Sequence, residues 1–202
     1  MPKISLGNSK CDLPTINLPA GGCERNGTCT KTCKNCYALR GKMLMYQNTI
    51  YRDNLKEFIL NSDKYFNDII NFLNNSVVIY KYFRFHSSGD IPNDEYFIGM
   101  IKVAKKCKNT TFLCYTKKYN IINDYLKTGG VIPKNLKLKF SAWTKNDPFD
   151  NPYNIPVAYV DFKDKSKNPE LPKRTPICPG TKKLCSECLF CFKYNNIIFK
   201  EH

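Results

Sequence analysis

The sequence predicts an α/β fold, an open, partial β/α barrel followed by a cysteine-rich C-terminal segment, on three observations. From about residue 51 onward, apolar stripes at helical spacing alternate with short β-branched and aromatic runs. The resulting order, β-α-β-α-β-α-β-β, calls for parallel strands joined by crossover helices. In Leu136-Lys137-Leu138-Lys139-Phe140 the apolar residues alternate with lysines, so one face of the sheet is expected to be wet. Finally, 202 residues with 42% apolar content suffice for one core. Residues 1–162 form the expected barrel unit, and residues 163–202 a cysteine-rich segment packed on the same domain.

Lys3 to Leu6 is the one strand expected before residue 23, because Pro14, Pro19 and Gly21-Gly22 read as an irregular approach to the cysteine-bearing loop at residues 29–36. Tyr37 to Met45 turns helical. Tyr51 to Leu73 carries Leu55, Phe58, Ile59, Phe66, Ile69, Ile70 and Leu73 at helical spacing, broken at Asn61-Ser62-Asp63, with Ser62 or Asp63 as the cap of its second half. Val77 to Phe85 is β-branched and aromatic and reads as a strand. Its alternation places Phe83 and Phe85 on one face, and Arg84, His86 and Ser88 on the other. Ser88-Gly89-Asp90 then lies at the carboxyl end of that strand, where α/β proteins place their sites; a plain structural turn is the competing reading. A helix over Asp94–Lys106, a strand over Thr110–Tyr115, a helix over Lys118–Lys127 ended by Gly129-Gly130, and strands over Leu136–Trp143 and Pro156–Phe162 complete the unit. Ser141 and Trp143 fall on the polar side of their strand.

The chemistry points elsewhere, to Cys29-Thr30-Lys31-Thr32-Cys33-Lys34-Asn35-Cys36. Three thiols at C-x3-C-x2-C spacing would repel as thiolates and oxidise unless a thiophilic metal neutralised them. The same spacing would lie on one face of a helix, but the intervening residues are mediocre helix formers, and no apolar partners extend a stripe. A zinc site wants four protein ligands, whereas three cysteines on a four-iron cube leave one iron open. Cys23 is a candidate fourth thiolate. Beyond the Lys/Pro-rich connector of residues 163–177, Cys178, Cys185, Cys188 and Cys191 form a C-x6-C-x2-C-x2-C array suited to a second iron–sulfur cluster, with zinc as its rival. Cys11, Cys107 and Cys114 stand apart and read as structural.

Eleven cysteines, seven of them in two tight groups, point to metal binding in a reducing compartment rather than to a secreted disulfide framework. No apolar run approaches a membrane span and the N-terminus has no apolar leader, so a cytoplasmic protein with no membrane partner is expected. The net charge of +15 admits a nucleic acid or nucleotide partner. A generally solvated basic surface accounts for it equally well, because lysines dominate and form no long block.

The cysteine loop resembles the signature of the radical S-adenosylmethionine (radical SAM) superfamily. That resemblance implies a partial barrel in which Cys29, Cys33 and Cys36 hold a 4Fe-4S cluster whose open iron binds S-adenosylmethionine, and an electron donor such as a flavodoxin or ferredoxin. It further implies generation of a 5'-deoxyadenosyl radical that abstracts hydrogen from a substrate. Ser88-Gly89-Asp90 resembles the superfamily's Gly-Gly-Glu segment at the methionine end, Ser141 corresponds to its ribose-contacting position, and Tyr37 stands beside the aromatic position for adenine, where Asn35 departs from the pattern. Arg84 and His86 would line the reaction cavity, and the C-terminal cysteines would hold a second 4Fe-4S cluster. The approach Leu18-Pro19-Ala20-Gly21, the triplet Cys36-Tyr37-Ala38, Phe85 to Asp90 and the cysteine-rich tail also resemble a phage-encoded family named for gene product 88, which implies a protein of the phage-infected host's cytoplasm. Two non-enzymatic alternatives stay open: an iron–sulfur electron-transfer or redox-sensing protein, and a zinc-stabilised nucleic-acid-binding module.

Overall fold

The computed structural model describes residues 1–202 except 9, 22–26, 30–35, 40, 48, 143, 146–148 and 202; the side chains at 37 and 41–43 fall outside it too. A seven-stranded sheet runs in sequence order β1-β2-β3-β4-β5-β6-β7. The strands are β1 (Ile4–Ser5), β2 (Thr15–Ile16), β3 (Tyr82–Phe85), β4 (Thr111–Thr116), β5 (Leu136–Ala142), β6 (Val157–Asp161) and β7 (Ile197–Lys200). Among the described residues, only the β1–β2 pairing is antiparallel. The sheet is open, with β1 and β7 at its edges. When each parallel strand lies beside its predecessor, right-handed crossovers carry the helices to one face.

The core follows that rule. Phe83 and Phe85 of β3, Phe112 and Cys114 of β4, and Leu136, Leu138 and Phe140 of β5 pack against helices α2 (Ile50–Leu60), α3 (Ser62–Asn75), α4 (Asp94–Lys106) and α5 (Tyr119–Lys127). Aromatic rings fill the layer edge to face, as between Phe58 and Tyr96 at 4.9 Å and Tyr65 and Phe66 at 5.1 Å. Each buried ring of this size contributes about 1.5–3 kcal/mol over leaving it exposed. Gly99 lets α4 come close to α3, because a Cβ there would stand 2.0 Å from the Phe66 ring.

The structure departs from the sequence expectations in four places. The break between α2 and α3 is capped by Asn61, whose side chain accepts the Lys64 N–H, rather than by Ser62 or Asp63. The strand expected from Val77 is confined to Tyr82–Phe85; Val77, Val78 and Ile79 are 102%, 57% and 75% exposed, so β-branched propensity found no pairing partner there. Two strands were not legible: β2, only two residues long yet set between β1 and β3, and β7, which returns the C-terminal segment to the sheet beside β6. The face expected to be wet is covered. Tyr82, Leu113 and Tyr115 lie against Cys11, Leu13, Leu189, Cys191 and Phe192, and Lys139 is 2% exposed, its ammonium donating to the carbonyls of Tyr194 (2.6 Å) and Asn195 (2.5 Å). A lysine can alternate into a covered face when carbonyls receive its protons.

Candidate functional site

The chain leaves β2 as Asn17-Leu18-Pro19-Ala20 at the carboxyl ends of the parallel strands and runs directly into the thiol loop. Three side chains then bind that loop to the Ser88-Gly89-Asp90 turn at the end of β3. The Asn17 carboxamide oxygen accepts the N–H groups of Ser87 (2.7 Å) and Ser88 (3.1 Å). The Thr28 hydroxyl donates to the Pro19 carbonyl (2.9 Å) and accepts the Asp90 N–H (2.8 Å). Gln47, buried at the end of α1 (Gly41–Gln47), accepts the Ala20 N–H at 2.7 Å and donates to the Ala38 carbonyl and the Ser88 hydroxyl, both at 2.8 Å. Its amide thus spans chain on both sides of the cysteines. Gly89 has φ +83°, and a Cβ there would meet the Leu18 carbonyl oxygen at 2.6 Å, so only glycine lets the two loops touch.

Within this frame Cys36 is buried with Ala20 and Ala38, and Cys29 packs half-buried against them, its N–H held by the Gly21 carbonyl at 2.9 Å. Cys33, Cys23 and Asn35 lie outside the described residues, as do Trp143 and the Tyr37 side chain. The Ser88 hydroxyl is engaged by Gln47 and by the Leu18 carbonyl (3.2 Å). The Asp90 carboxylate accepts the N–H groups of Ile91 (2.7 Å) and Lys117 (2.9 Å), joining the ends of β3 and β4. Burial pushes its pKa up, opposed by the Thr116 hydroxyl and those two amides. Ser141 offers its carbonyl, which accepts from the Lys117 ammonium (3.1 Å) and the Tyr119 hydroxyl (2.5 Å).

Arg84 and His86, expected on one face, are parted by the sheet. The alternation stops at Phe85: His86 has φ +61°, and its ring turns into the helical layer, with Nε2 3.1 Å from the Tyr96 hydroxyl and Tyr96 in turn 3.3 Å from Tyr65. Its buried Nδ1 has no hydrogen-bond partner among the described residues, and burial, seconded by the Arg84 charge, lowers the ring's pKa to about 3. Arg84 stays on the opposite face, its guanidinium 5.3 Å over the Tyr115 ring and its Nε donating to the His86 carbonyl at 3.2 Å.

A profile of the gene product 88 family matches residues 3–194, which is nearly the whole chain and includes all eleven cysteines. The chain belongs to the gene product 88 family. No curated protein and no solved structure matches it. Among the described residues of this gene product 88 chain, no helix is long and apolar enough to cross a membrane.

The second cysteine set of the gene product 88 chain covers the face that carries Arg84. Cys178 is tied to β7 through its N–H and the Ile198 carbonyl (2.8 Å); the helical turn α6 (Cys185–Cys188) passes through left-handed Leu189 (φ +53°) into α7 (Phe190–Lys193). Phe192 anchors the segment on Tyr82 at 4.8 Å between ring centres. Cys11, which the sequence set apart, packs in the same cluster as Cys185 and Cys191. The Cys11 and Cys185 thiols interact, and the neighbouring Cys185 thiol holds the Cys11 pKa below the ordinary thiol value, against the cost of burial and with the Arg84 charge nearby. Cys107 and Cys114 are buried in the helical layer, and burial pushes the Cys107 thiol up to about 11. Among the described residues, no three Cys, His, Asp or Glu side chains already meet at ion-binding geometry.

Proposed function

We propose that this gene product 88 protein is an iron–sulfur protein of radical SAM type, with Cys29, Cys33 and Cys36 as the ligands of a 4Fe-4S cluster. One observation carries the reading. The thiol loop follows the first parallel strand and is bound directly to the turn that ends the next one, through Thr28, Gln47 and Gly89. The open sheet in sequence order supports a partial-barrel frame around that turn. The described thiols fit the group: Cys29 and Cys36 share one cluster whose other buried members, Ala20 and Ala38, are small. With S-adenosylmethionine bound, such a cluster supplies one-electron cleavage of a sulfonium bond and hydrogen abstraction from a substrate. The chain's own contribution is positional. Asn17, Thr28 and Gln47 fix the spacing of the two loops, and Asp90 and Lys117 tie the ends of β3 and β4 below them. The +15 charge makes phosphate-bearing molecules the first substrate class to screen.

A specific observation favours the electron-transfer alternative: the side chains of Ser88 and Asp90, expected to hold the methionine end, are engaged in the loop's own hydrogen bonds. Anaerobic reconstitution separates the two. A reduced-cluster paramagnetic resonance signal that changes on adding S-adenosylmethionine, with 5'-deoxyadenosine formed under dithionite and lost in a Cys29→Ala/Cys33→Ala/Cys36→Ala variant, is the expected result. An unchanged signal without that product leaves electron transfer, and a colourless zinc protein sinks both.

A further inference from the structure

We infer that Cys11 belongs to a second metal site, built with Cys178, Cys185 and Cys191 on the sheet face opposite the helices, and that Cys188 stands outside it. The inference holds whether or not the first thiol loop binds S-adenosylmethionine.

Spacing alone favours the C-terminal array as a self-contained set, but the fold brings another thiol to it. The segment before β2 is clamped onto α6: the Cys185 N–H donates to the Lys10 carbonyl at 3.2 Å, the Ser186 N–H to the Asp12 carboxylate at 3.0 Å, and the Ser186 hydroxyl to the same carboxylate. A turn in which the Asn8 carboxamide oxygen accepts the Cys11 N–H (2.8 Å) fixes Cys11 between those tethers. Cys11 is 7% exposed and lies in one cluster with Cys185 and Cys191, and Cys178 is in electrostatic reach of Cys191. Neither Cys178 nor Cys188 is a member of that cluster, but the Cys178 N–H is tied to the Ile198 carbonyl of β7 at 2.8 Å, beside the sheet face that Cys191 packs on, whereas the Cys188 N–H is spent within its own helical turn on the Leu184 carbonyl. One turn of helix separates Cys188 from Cys185, but the left-handed residue Leu189 redirects the chain so that Cys191 rather than Cys188 packs against the sheet.

Three groups near these sulfurs suit an anionic thiolate–metal centre. Among the described residues the buried Tyr115 hydroxyl has no nitrogen or oxygen partner, and it faces the Cys191 thiol. A metal-bound thiolate is the acceptor such a donor lacks, and second-shell donors of this kind orient metal ligands. Lys139 is buried with its ammonium on two carbonyls rather than on a carboxylate, and Arg84 lies over Tyr115. Four thiolates around a divalent ion or a cubane leave net negative charge, which two neighbouring cations offset. Since no three of these four described sulfurs meet as they stand, binding would draw α6 and α7 inward onto the sheet.

The test uses the full chain with Cys29, Cys33 and Cys36 all changed to serine, so that only the second site remains. Cobalt(II) is the probe, read by its thiolate charge-transfer band, and reconstitution with ferrous iron and sulfide is the parallel arm that tells an iron–sulfur cluster from a single zinc-like ion. The background protein should bind one metal centre. Adding Cys11→Ser or Cys185→Ser should weaken binding at least about tenfold, the loss typical when a metal's protein surroundings are disturbed, and cut the band by about a quarter. Cys188→Ser should keep the full band. Leu13→Ala loosens the same packing without removing a sulfur and should keep the metal. The inference is overturned if the background binds no metal, if Cys11→Ser binds as tightly as the background, if Cys188→Ser loses a quarter of the band, or if Leu13→Ala loses metal as Cys11→Ser does.

Discussion

His86 combines a left-handed backbone with a buried, neutral ring, and the two have separate causes. The φ of +61° lets the chain turn from β3 into Ser87-Ser88-Gly89, while the ring fills space beside Tyr96. With a folded pKa of about 3 against the ordinary value near 6.5, the unfolded chain takes up a proton that the folded chain refuses. Stability therefore rises with pH between those values and is lost as pH falls through them, by up to about 1.4 kcal/mol per unit. Asp90, whose pKa burial raises from the ordinary value near 3.8, acts in the opposite sense above that value, so its contribution overlaps the His86 range and is common to both proteins compared. Subtracting the denaturant-measured stability of His86→Asn, a residue that tolerates positive φ, from that of the wild type should isolate the His86 slope. An identical pH dependence in both proteins would refute the buried neutral ring. This placement was not legible in the sequence, because alternation counts faces only while the backbone stays extended.

Among the elements, α4 offers a contest between propensity and packing at Gly99. Alanine in a helix is worth about 1 kcal/mol over glycine, but its Cβ would stand 2.0 Å from the Phe66 ring on α3. Overpacking of this kind costs about 1–3 kcal/mol, so Gly99→Ala is expected to lower the unfolding free energy, and a stabilised variant would refute the close α3–α4 contact. The spans of α3, α4 and α5 were legible because their apolar stripes are long enough to establish a period, although the cap of α3 was expected at Ser62 or Asp63 and falls on Asn61. Short strands gave less. β2 has two residues between prolines and is defined by its neighbours, while Val77-Val78-Ile79 carries the strongest local strand signal and stays unpaired and exposed.

At the scale of the whole molecule, the candidate site is an assembly of loops held by three side chains, of which Gln47 reaches the most groups. Gln47→Leu would strand the Ala20 N–H and the Ala38 carbonyl among buried groups, each at about 1–3 kcal/mol, and leave the Ser88 hydroxyl with its bond to the Leu18 carbonyl alone. The thermal midpoint should fall, and iron taken up on reconstitution should fall with it; undiminished iron would show that Gln47 does not position the thiol loop. The three-cysteine spacing was plain in the sequence. Gln47 and Thr28 were not, since no motif marks a residue whose role is to reach across from another element. Cys11 was hidden for the same reason: only the tethers from Asp12 to Ser186 and from Lys10 to Cys185 bring it to its partners.

Those tethers also bear on the order in which the chain assembles. From β4 to β6 every strand pairs with the strand before it, so those contacts close comparatively short loops and are kinetically favoured. The Asp12–Ser186 clamp joins residues 174 positions apart and needs β4 in place to receive Phe192. Refolding should therefore show an early recovery of helical signal followed by a slower phase in which the cysteines of α6 and α7 become protected from alkylation. In Asp12→Ala that late protection should be delayed while the early phase keeps its rate.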